Sequence, residues 1–152
     1  MKREFPKQPL VGVGGVVIHR NRVLLIRRGS EPLKGEWSIP GGLLEVGEEI
    51  AEAARRELRE ETGLEVEPLA VLEVFDRIFR AGRRVRYHFV IVDFVCRLRG
   101  GKLQHGSDVL EARWVRREDL AQYNLTEKAT SVALQAFAYF AARRKKTQPL
   151  AP

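Results

Sequence analysis

The sequence predicts an α+β domain in which helices cover a mixed β-sheet, and three observations carry that prediction. Runs rich in Val, Ile and Phe recur on both sides of the chain's centre. A single strongly helical segment, 49–62, interrupts them. A second helical stretch follows the last strand.

Each element has its own local reason. Val11 to His19 reads as a strand, and Val23 to Arg27 as its hairpin partner across Arg20-Asn21-Arg22. Gly12, Gly14 and Gly15 lie within the first strand, but they lack the full spacing of a dinucleotide fingerprint and no helix follows them. Close packing against a neighbour is the expected reason for them. Gly29 to Gly42 reads as a loop with short extended pieces, punctuated by Pro32, Gly35, Pro40 and Gly41-Gly42. Glu49 to Thr62 contains good helix formers and no proline, with Gly63 placed as a stop. Strands are expected over about Leu69–Phe79 and Arg84–Leu98, turning near Ala81-Gly82, and over Ala112–Val115. Arg117–Gln122 should be a short helix. Thr126–Arg143 should be a longer one, with an apolar stripe on Val132, Leu134, Phe137 and Phe140. Met1–Pro9 and Thr147–Pro152 are expected to fray.

Bulk properties narrow the function classes. A chain of 152 residues suits a single domain, 1–152, with one real core. No stretch approaches the ~20 consecutive apolar residues of a membrane span, and the first ten residues lack the apolar centre of a signal peptide. Cys96 is the only cysteine, which excludes an internal disulfide and suits a reducing cytoplasm. It lies in the apolar run Phe89–Leu98, so a buried small hydrophobe is expected there. The net charge of +7 points to anionic partners, whether phosphate-bearing small molecules or nucleic acid. Arg143-Arg144-Lys145-Lys146 fits a solvated helix end whose cations complement the dipole.

The chemistry concentrates on the 49–62 helix. Glu57, Glu60 and Glu61 stand at i, i+3 and i+4, so at ~100° per residue their side chains share one arc. They repel one another, and the C-terminal half of a helix disfavours anions. Ile50, Ala54 and Leu58 mark the apolar side, with Glu61 among them and Glu57 at its edge, while Glu52, Arg55 and Arg59 lie round the back. A carboxylate turned toward the protein body is costly unless a cation neutralises it, and clustered carboxylates are what a hard divalent ion selects. A solvated face paired with Arg55, Arg56 and Arg59 explains the same spacing. Geometry leaves both open.

Gly42, Glu48, Arg56-Glu57-Leu58, Glu60-Glu61 and Gly63-Leu64 fill all nine fixed positions of a 23-residue pattern. The chain thereby resembles the Nudix (MutT-like) hydrolase family. The lead-in Gly35-Glu36-Trp37-Ser38-Ile39-Pro40-Gly41-Gly42 and the later Ala112-Arg113-Trp114-Val115 extend the resemblance to about Val11–Ala138. It implies an α/β/α sandwich with a mixed sheet and a loop–helix–loop catalytic motif. Glu57 and Glu61 would then hold Mg²⁺, or alternatively Mn²⁺, with Glu60 contributing directly or through water and a carbonyl of Gly41 or Gly42 completing the site. Arg56 and Glu48 would pair to orient the carboxylates. The implied reaction is attack of water on one phosphorus of a diphosphate linkage. Glu60 or an acid outside the pattern, Asp108 or Glu111, would be the general base.

Substrate recognition is expected from Arg27 and Arg28 on phosphate or ribose, and from Trp37 on a base; Phe75 and Phe79 could also stack, with core packing expected for at least two of the three. Arg80, Arg83, Arg84 and Arg86 make the second hairpin basic. The secondary markers of one ADP-ribose group and of dinucleoside polyphosphate hydrolases are absent from Arg77-Ile78-Phe79-Arg80. The chain still resembles small bacterial ADP-ribose pyrophosphatase-like members. The expected substrate is therefore a nucleoside diphosphate derivative, ADP-ribose first and a nucleoside triphosphate second. The alternatives are an RNA 5′-pyrophosphohydrolase and a non-catalytic nucleotide sensor. Family members are often dimers, so a homodimer is compatible with the resemblance.

Overall fold

The structure is a computed structural model that describes residues 3–147. Its centre is a seven-stranded mixed sheet. The strands are β1 (Leu10–His19), β2 (Arg22–Arg28), β3 (Trp37–Ser38), β4 (Gly41–Leu43), β5 (Leu64–Ala81), β6 (Arg84–Gly101) and β7 (Val109–Arg116). The main path runs β3-β2-β1-β6-β5, with β4 paired to β1 and β7 paired to β2. The β1–β6 pairing is parallel, from Leu10 opposite Phe89 to Ile18 opposite Arg97, and the remaining pairs are antiparallel.

Both faces of the sheet are covered, which is why the central strands read as continuous apolar runs. Val13, Val17, Leu24, Phe94 and Cys96 pack with Ala53, Ala54 and Leu58 of helix α1 (Ile50–Thr62). Their chain neighbours Val16, Leu25 and Val95 point the other way. They pack with Leu120 of a short 3-10 helix (Arg117–Tyr123) and with Val132, Ala133, Ala136 and Phe137 of α2 (Glu127–Thr147). Alternation along each strand thus divides one sheet between two cores, giving the α/β/α sandwich. Among the described residues no helix is long and apolar enough to cross a membrane.

The glycines of β1 do serve close packing. A Cβ at Gly12 would stand 2.8 Å from Ile91 Cδ1, one at Gly15 would stand 2.8 Å from Leu58 Cδ2, and one at Gly14 would overlap the Asp93 carboxylate. Cys96 is fully buried, as expected.

Several expectations are corrected. β5 begins at Leu64, not Leu69, and β6 runs on to Gly101, because Pro68 sits at a register irregularity of an edge strand, where its missing N–H is tolerated. Leu134 is exposed. The buried stripe of α2 keeps the expected Val132 and Phe137 and adds Ala129, Ala133 and Ala136, small residues that a search for large apolar side chains undervalues. Ile50 is exposed too, as the first residue of α1, and the buried seats begin a turn later at Ala53 and Ala54. Residues 3–9 do not fray: Phe5 N–H donates to the Arg86 carbonyl at 2.7 Å and Glu4 pairs with Arg86 at 3.2 Å. At the other end α2 continues to Thr147; 148–152, also expected to fray, lie outside the described residues. Of the basic run, Arg143 lies over the Tyr139 ring at 3.5 Å.

Candidate active site

Helix α1 presents its acids to a cavity of about 360 Å³. The helix ends at Gly63, whose left-handed backbone (φ 75°) lets its N–H reach the Arg59 carbonyl at 2.9 Å. The loop between β6 and β7 wraps back over the helix end: Gln104 N–H donates to the Thr62 carbonyl and Gly106 N–H to the Glu61 carbonyl, both at 2.9 Å. That wrap brings Asp108 to the cavity wall. On the opposite side β4 pairs with β1 and carries Gly41 and Gly42 up to the helix.

Glu61 enters this junction from the helix. Its Oε2 accepts the Gly41 N–H at 3.1 Å. Burial pushes its carboxyl up to about 8, the Gly41 hydrogen bond pulls the other way, and the negative charges of Glu57 and Asp108 add to the rise. Glu57 is raised as well, again mainly by burial, against a pull from Arg56. Its side chain is 14% exposed. Glu60 differs: its side chain is 58% exposed and it pairs with Arg56 at 3.3 Å. Among the described residues, no three acidic, His or Cys side chains alone form a metal cage.

Arg56 is the organiser of the group. Its Nε and Nη2 grip Glu48 in a bidentate pair at 2.7 and 2.9 Å. Nη1 donates to Glu57 at 2.8 Å and Nη2 to the Leu43 carbonyl at 3.0 Å. One guanidinium therefore ties helix, loop and β4 together. The bond from Arg56 holds Glu48 below the usual carboxylate range. The predicted Arg56–Glu48 contact is thus present, with Glu48 itself outside the cavity lining.

The two glycines are spatial necessities. A Cβ at Gly42 would overlap the Glu57 carboxylate, and one at Gly41 would overlap the Val13 carbonyl. Two half-buried carboxylates raised by desolvation beside a glycine pair form an oxygen-rich cradle that suits a hard divalent cation.

The expected recognition residues divide. Arg28 lines the cavity, its charge disfavoured mainly by burial, and its Nε donates to the Pro32 carbonyl at 2.7 Å. Arg27 lies outside the lining and donates to the Gly35 carbonyl at 3.2 Å, bracing the loop. Trp37 reaches the cavity with its other side in the core, edge-on to Tyr123 at 5.1 Å with Arg113 over the ring. At least two of Trp37, Phe75 and Phe79 were expected in the core, yet all three are only half-buried and line the cavity. Phe75 and Phe79 alternate with Arg77 along β5, and Lys128 of α2 stands 5.4 Å over the Phe75 ring. Asp108 lines the cavity, whereas Glu111 is taken up by Arg113 and lies outside it.

Among the lining residues that sequence reasoning missed are Arg77, Asp93 and Arg3. Arg77 sits between Phe75 and Phe79, and burial disfavours its charge while Asp93 favours it. Asp93 is 4% exposed, and burial pushes it up to about 7 against the pull of Arg77. A lone acid inside the apolar run of β6 was the signal for it. Arg3 also lines the cavity. Nothing in its local sequence marks it, because its position depends on how residues 3–9 cross β6.

Comparison with known proteins supplies independent findings. A family model described as NUDIX domain matches residues 8–137. An ADP-ribose pyrophosphatase of Methanocaldococcus jannaschii is 38% identical over 118 residues, covering 74% of this chain and 68% of that protein. The putative ADP-ribose pyrophosphatase YjhB of Bacillus subtilis is 28% identical over 139 residues, covering 91% of this chain and 65% of its own. The chain thus spans about two thirds of the length of these two curated relatives. Among solved structures, a MutT NUDIX hydrolase from Burkholderia pseudomallei matches with a TM-score of 0.74 at 30% identity, covering 86% of this chain and 98% of that one.

Proposed function

The chain belongs to the Nudix family and is a pyrophosphohydrolase, and on that premise we propose that it hydrolyses a diphosphate linkage in a nucleoside diphosphate derivative, with Mg²⁺ as its metal. The observation that carries this reading is the meeting of Glu57 and Glu61 with the Gly41-Gly42 backbone in a cavity that also presents Arg28, Arg77, Phe75, Phe79 and Trp37, beside Asp93 and Asp108. A nucleotide has the same division: an anionic diphosphate at one end and a flat ring at the other.

Family members generally work with a divalent metal ion, and the donor set here fits one. Glu57, Glu61 and a carbonyl of Gly41 or Gly42 would hold Mg²⁺, Mn²⁺ being the alternative, and Glu60 would join through water. The ion would supply neutralisation of phosphate oxygens and a lowered pKa for the attacking water. Arg56, itself fixed by Glu48, sets the direction of Glu57. Arg28 and Arg77 face the cavity as phosphate partners, and Phe75, Phe79 and Trp37 offer apolar faces to a base or sugar. Glu60 and Asp108 are the two candidates for accepting the water's proton as its oxygen bonds to phosphorus and the bridging oxygen leaves.

ADP-ribose is the first-choice substrate, supported by the names of the two curated relatives, and a nucleoside triphosphate the second. The RNA alternative relied on the arginine hairpin, but Arg86 is paired with Glu4 and Arg84 covers the Phe5 ring, so these two cations are partly committed. The test is chromatographic detection of hydrolysis products (AMP and ribose 5-phosphate from ADP-ribose) from ADP-ribose, NADH, dinucleoside polyphosphates, nucleoside triphosphates and 5′-triphosphorylated RNA, with Mg²⁺ and with EDTA. Magnesium-dependent cleavage of ADP-ribose is expected. Cleavage of RNA in preference, or of nothing by the folded protein, would overturn the assignment.

A further inference from the structure

The segment 3–9 lies across the tip of β6 and holds Arg3 at the cavity. Three contacts fix it there. Phe5 N–H donates to the Arg86 carbonyl at 2.7 Å, Glu4 pairs with the Arg86 guanidinium at 3.2 Å, and the Arg84 guanidinium stands 3.9 Å over the Phe5 ring. Phe5 adopts a left-handed backbone (φ 49°), a conformation that costs a non-glycine residue free energy and persists only where its surroundings enforce it. The strap is therefore specified, and Arg3 lies two residues before its best-anchored point.

Arg3 faces the same cavity as Glu57 and Arg28. Its side chain is exposed, whereas Arg28 on the same cavity is half-buried. Among the described residues Arg3 makes no hydrogen bond or ion pair of its own. Placing the exposed Arg3 on the same cavity as Arg28, with no hydrogen-bonded carboxylate of its own, adds little to stability. It becomes favourable when a multiply charged anion lies between the two, because a guanidinium fork binds phosphate oxygens with paired donors.

We infer that Arg3 is a substrate-binding residue, delivered by the 3–9 strap to a phosphate of the bound nucleotide opposite Arg28. This inference rests on the nucleotide reading above. It assigns the two arginines to opposite sides of the diphosphate, and it makes Phe5 a positioning residue that acts through Arg3 without touching the ligand.

The experiment compares wild type with Arg3→Ala, Arg3→Lys, Phe5→Ala and the Arg3→Ala/Phe5→Ala double variant. The first readout is calorimetric binding of ADP in EDTA; the second is KM and kcat on whichever nucleotide the screen identifies. Loss of a charge-assisted phosphate contact should weaken ADP binding roughly tenfold to a hundredfold in Arg3→Ala, with partial recovery in Arg3→Lys. KM should rise by a similar factor while kcat changes far less. Phe5→Ala should weaken binding in the same direction, and the double variant should bind no worse than Arg3→Ala alone. Arg84→Ala, which removes the cation over the ring from the other side, stands in if Phe5→Ala does not fold. ADP affinity in Arg3→Ala within twofold of wild type would overturn the inference while leaving the nucleotide reading intact, as would strictly additive losses in the double variant. A folded wild type that binds no ADP would overturn both.

Discussion

Replacing Glu61 by Gln should make the metal-free protein more stable while removing its response to magnesium. The wild-type carboxyl titrates near 4.5 in the unfolded chain and is pushed up to about 8 in the fold. The folded state therefore holds the proton more tightly, so the penalty is absent below pH 4.5, grows as pH rises, and is complete above 8. At pH 7 it amounts to about 3 kcal/mol. Gln keeps an acceptor for the Gly41 N–H, but its new amide donors need partners, which costs about 1–2 kcal/mol. The net expectation is a gain of about 1–2 kcal/mol at pH 7, or roughly 2–8 °C in the melting midpoint of a chain this size. At pH 5 the gain should vanish. The assay is thermal unfolding in EDTA from pH 5 to 8.5, repeated in millimolar Mg²⁺. Binding to the folded state alone should raise the wild-type midpoint in Mg²⁺, and Glu61→Gln should respond far less, with turnover down by several orders of magnitude. A variant less stable than wild type at pH 8, or one as responsive to Mg²⁺, would refute the reasoning.

Three further outcomes follow from the same geometry. Gly42→Ala places a methyl where the Glu57 carboxylate lies, so Mg²⁺ affinity measured by calorimetry should fall at least about tenfold, with unfolding free energy changed by less than about 1 kcal/mol because a flexible carboxylate can swing aside. Asp93→Asn removes a buried acid pushed up to about 7, whose ionisation in the fold costs more as pH rises from 4 to 7. Urea unfolding at pH 8 should show a gain of about 1–2 kcal/mol, less than the full ionisation cost because Arg77 loses its counter-charge, and no gain at pH 5. Cys96 is buried and its thiol is pushed up to about 12, so a thiol reagent at pH 8 should leave the native protein unlabelled; rapid labelling without denaturant would contradict its burial.

The acid-bearing helix was legible because periodicity and a fixed spacing both operate within 23 residues, and neither needs knowledge of the rest of the chain. The two-faced sheet was legible in the same way, since strands covered on both sides must be apolar throughout. The far half of the cavity was not. Phe75, Arg77 and Phe79 alternate as any edge strand might, and only the placement of β5 against distant parts of the chain decides that their face lines a pocket. Asp93 depends on Gly14 lying opposite it in a parallel pairing, a contact between distant parts of the chain. Arg3 depends on a strap whose anchors, Arg84 and Arg86, lie some eighty residues away. Pro68 misled the strand boundary because it signals a break in general and a tolerated irregularity only at a sheet edge.

The parallel register between β1 and β6 also bears on how the protein folds. The β5–β6 hairpin closes across a short turn at Ala81–Arg84 and can form early, whereas Leu10 must find Phe89 across a long intervening chain. The cavity draws on both ends of that search, with Gly12 and Gly14 on one strand and Phe89, Ile91 and Asp93 on the other. Ligand-binding competence should consequently appear only in the slowest refolding phase, after hairpin structure has already formed. Stopped-flow refolding read in parallel by circular dichroism and by capture of a fluorescent nucleotide would separate the two events, and simultaneous recovery of both signals would show that the sheet assembles in one step.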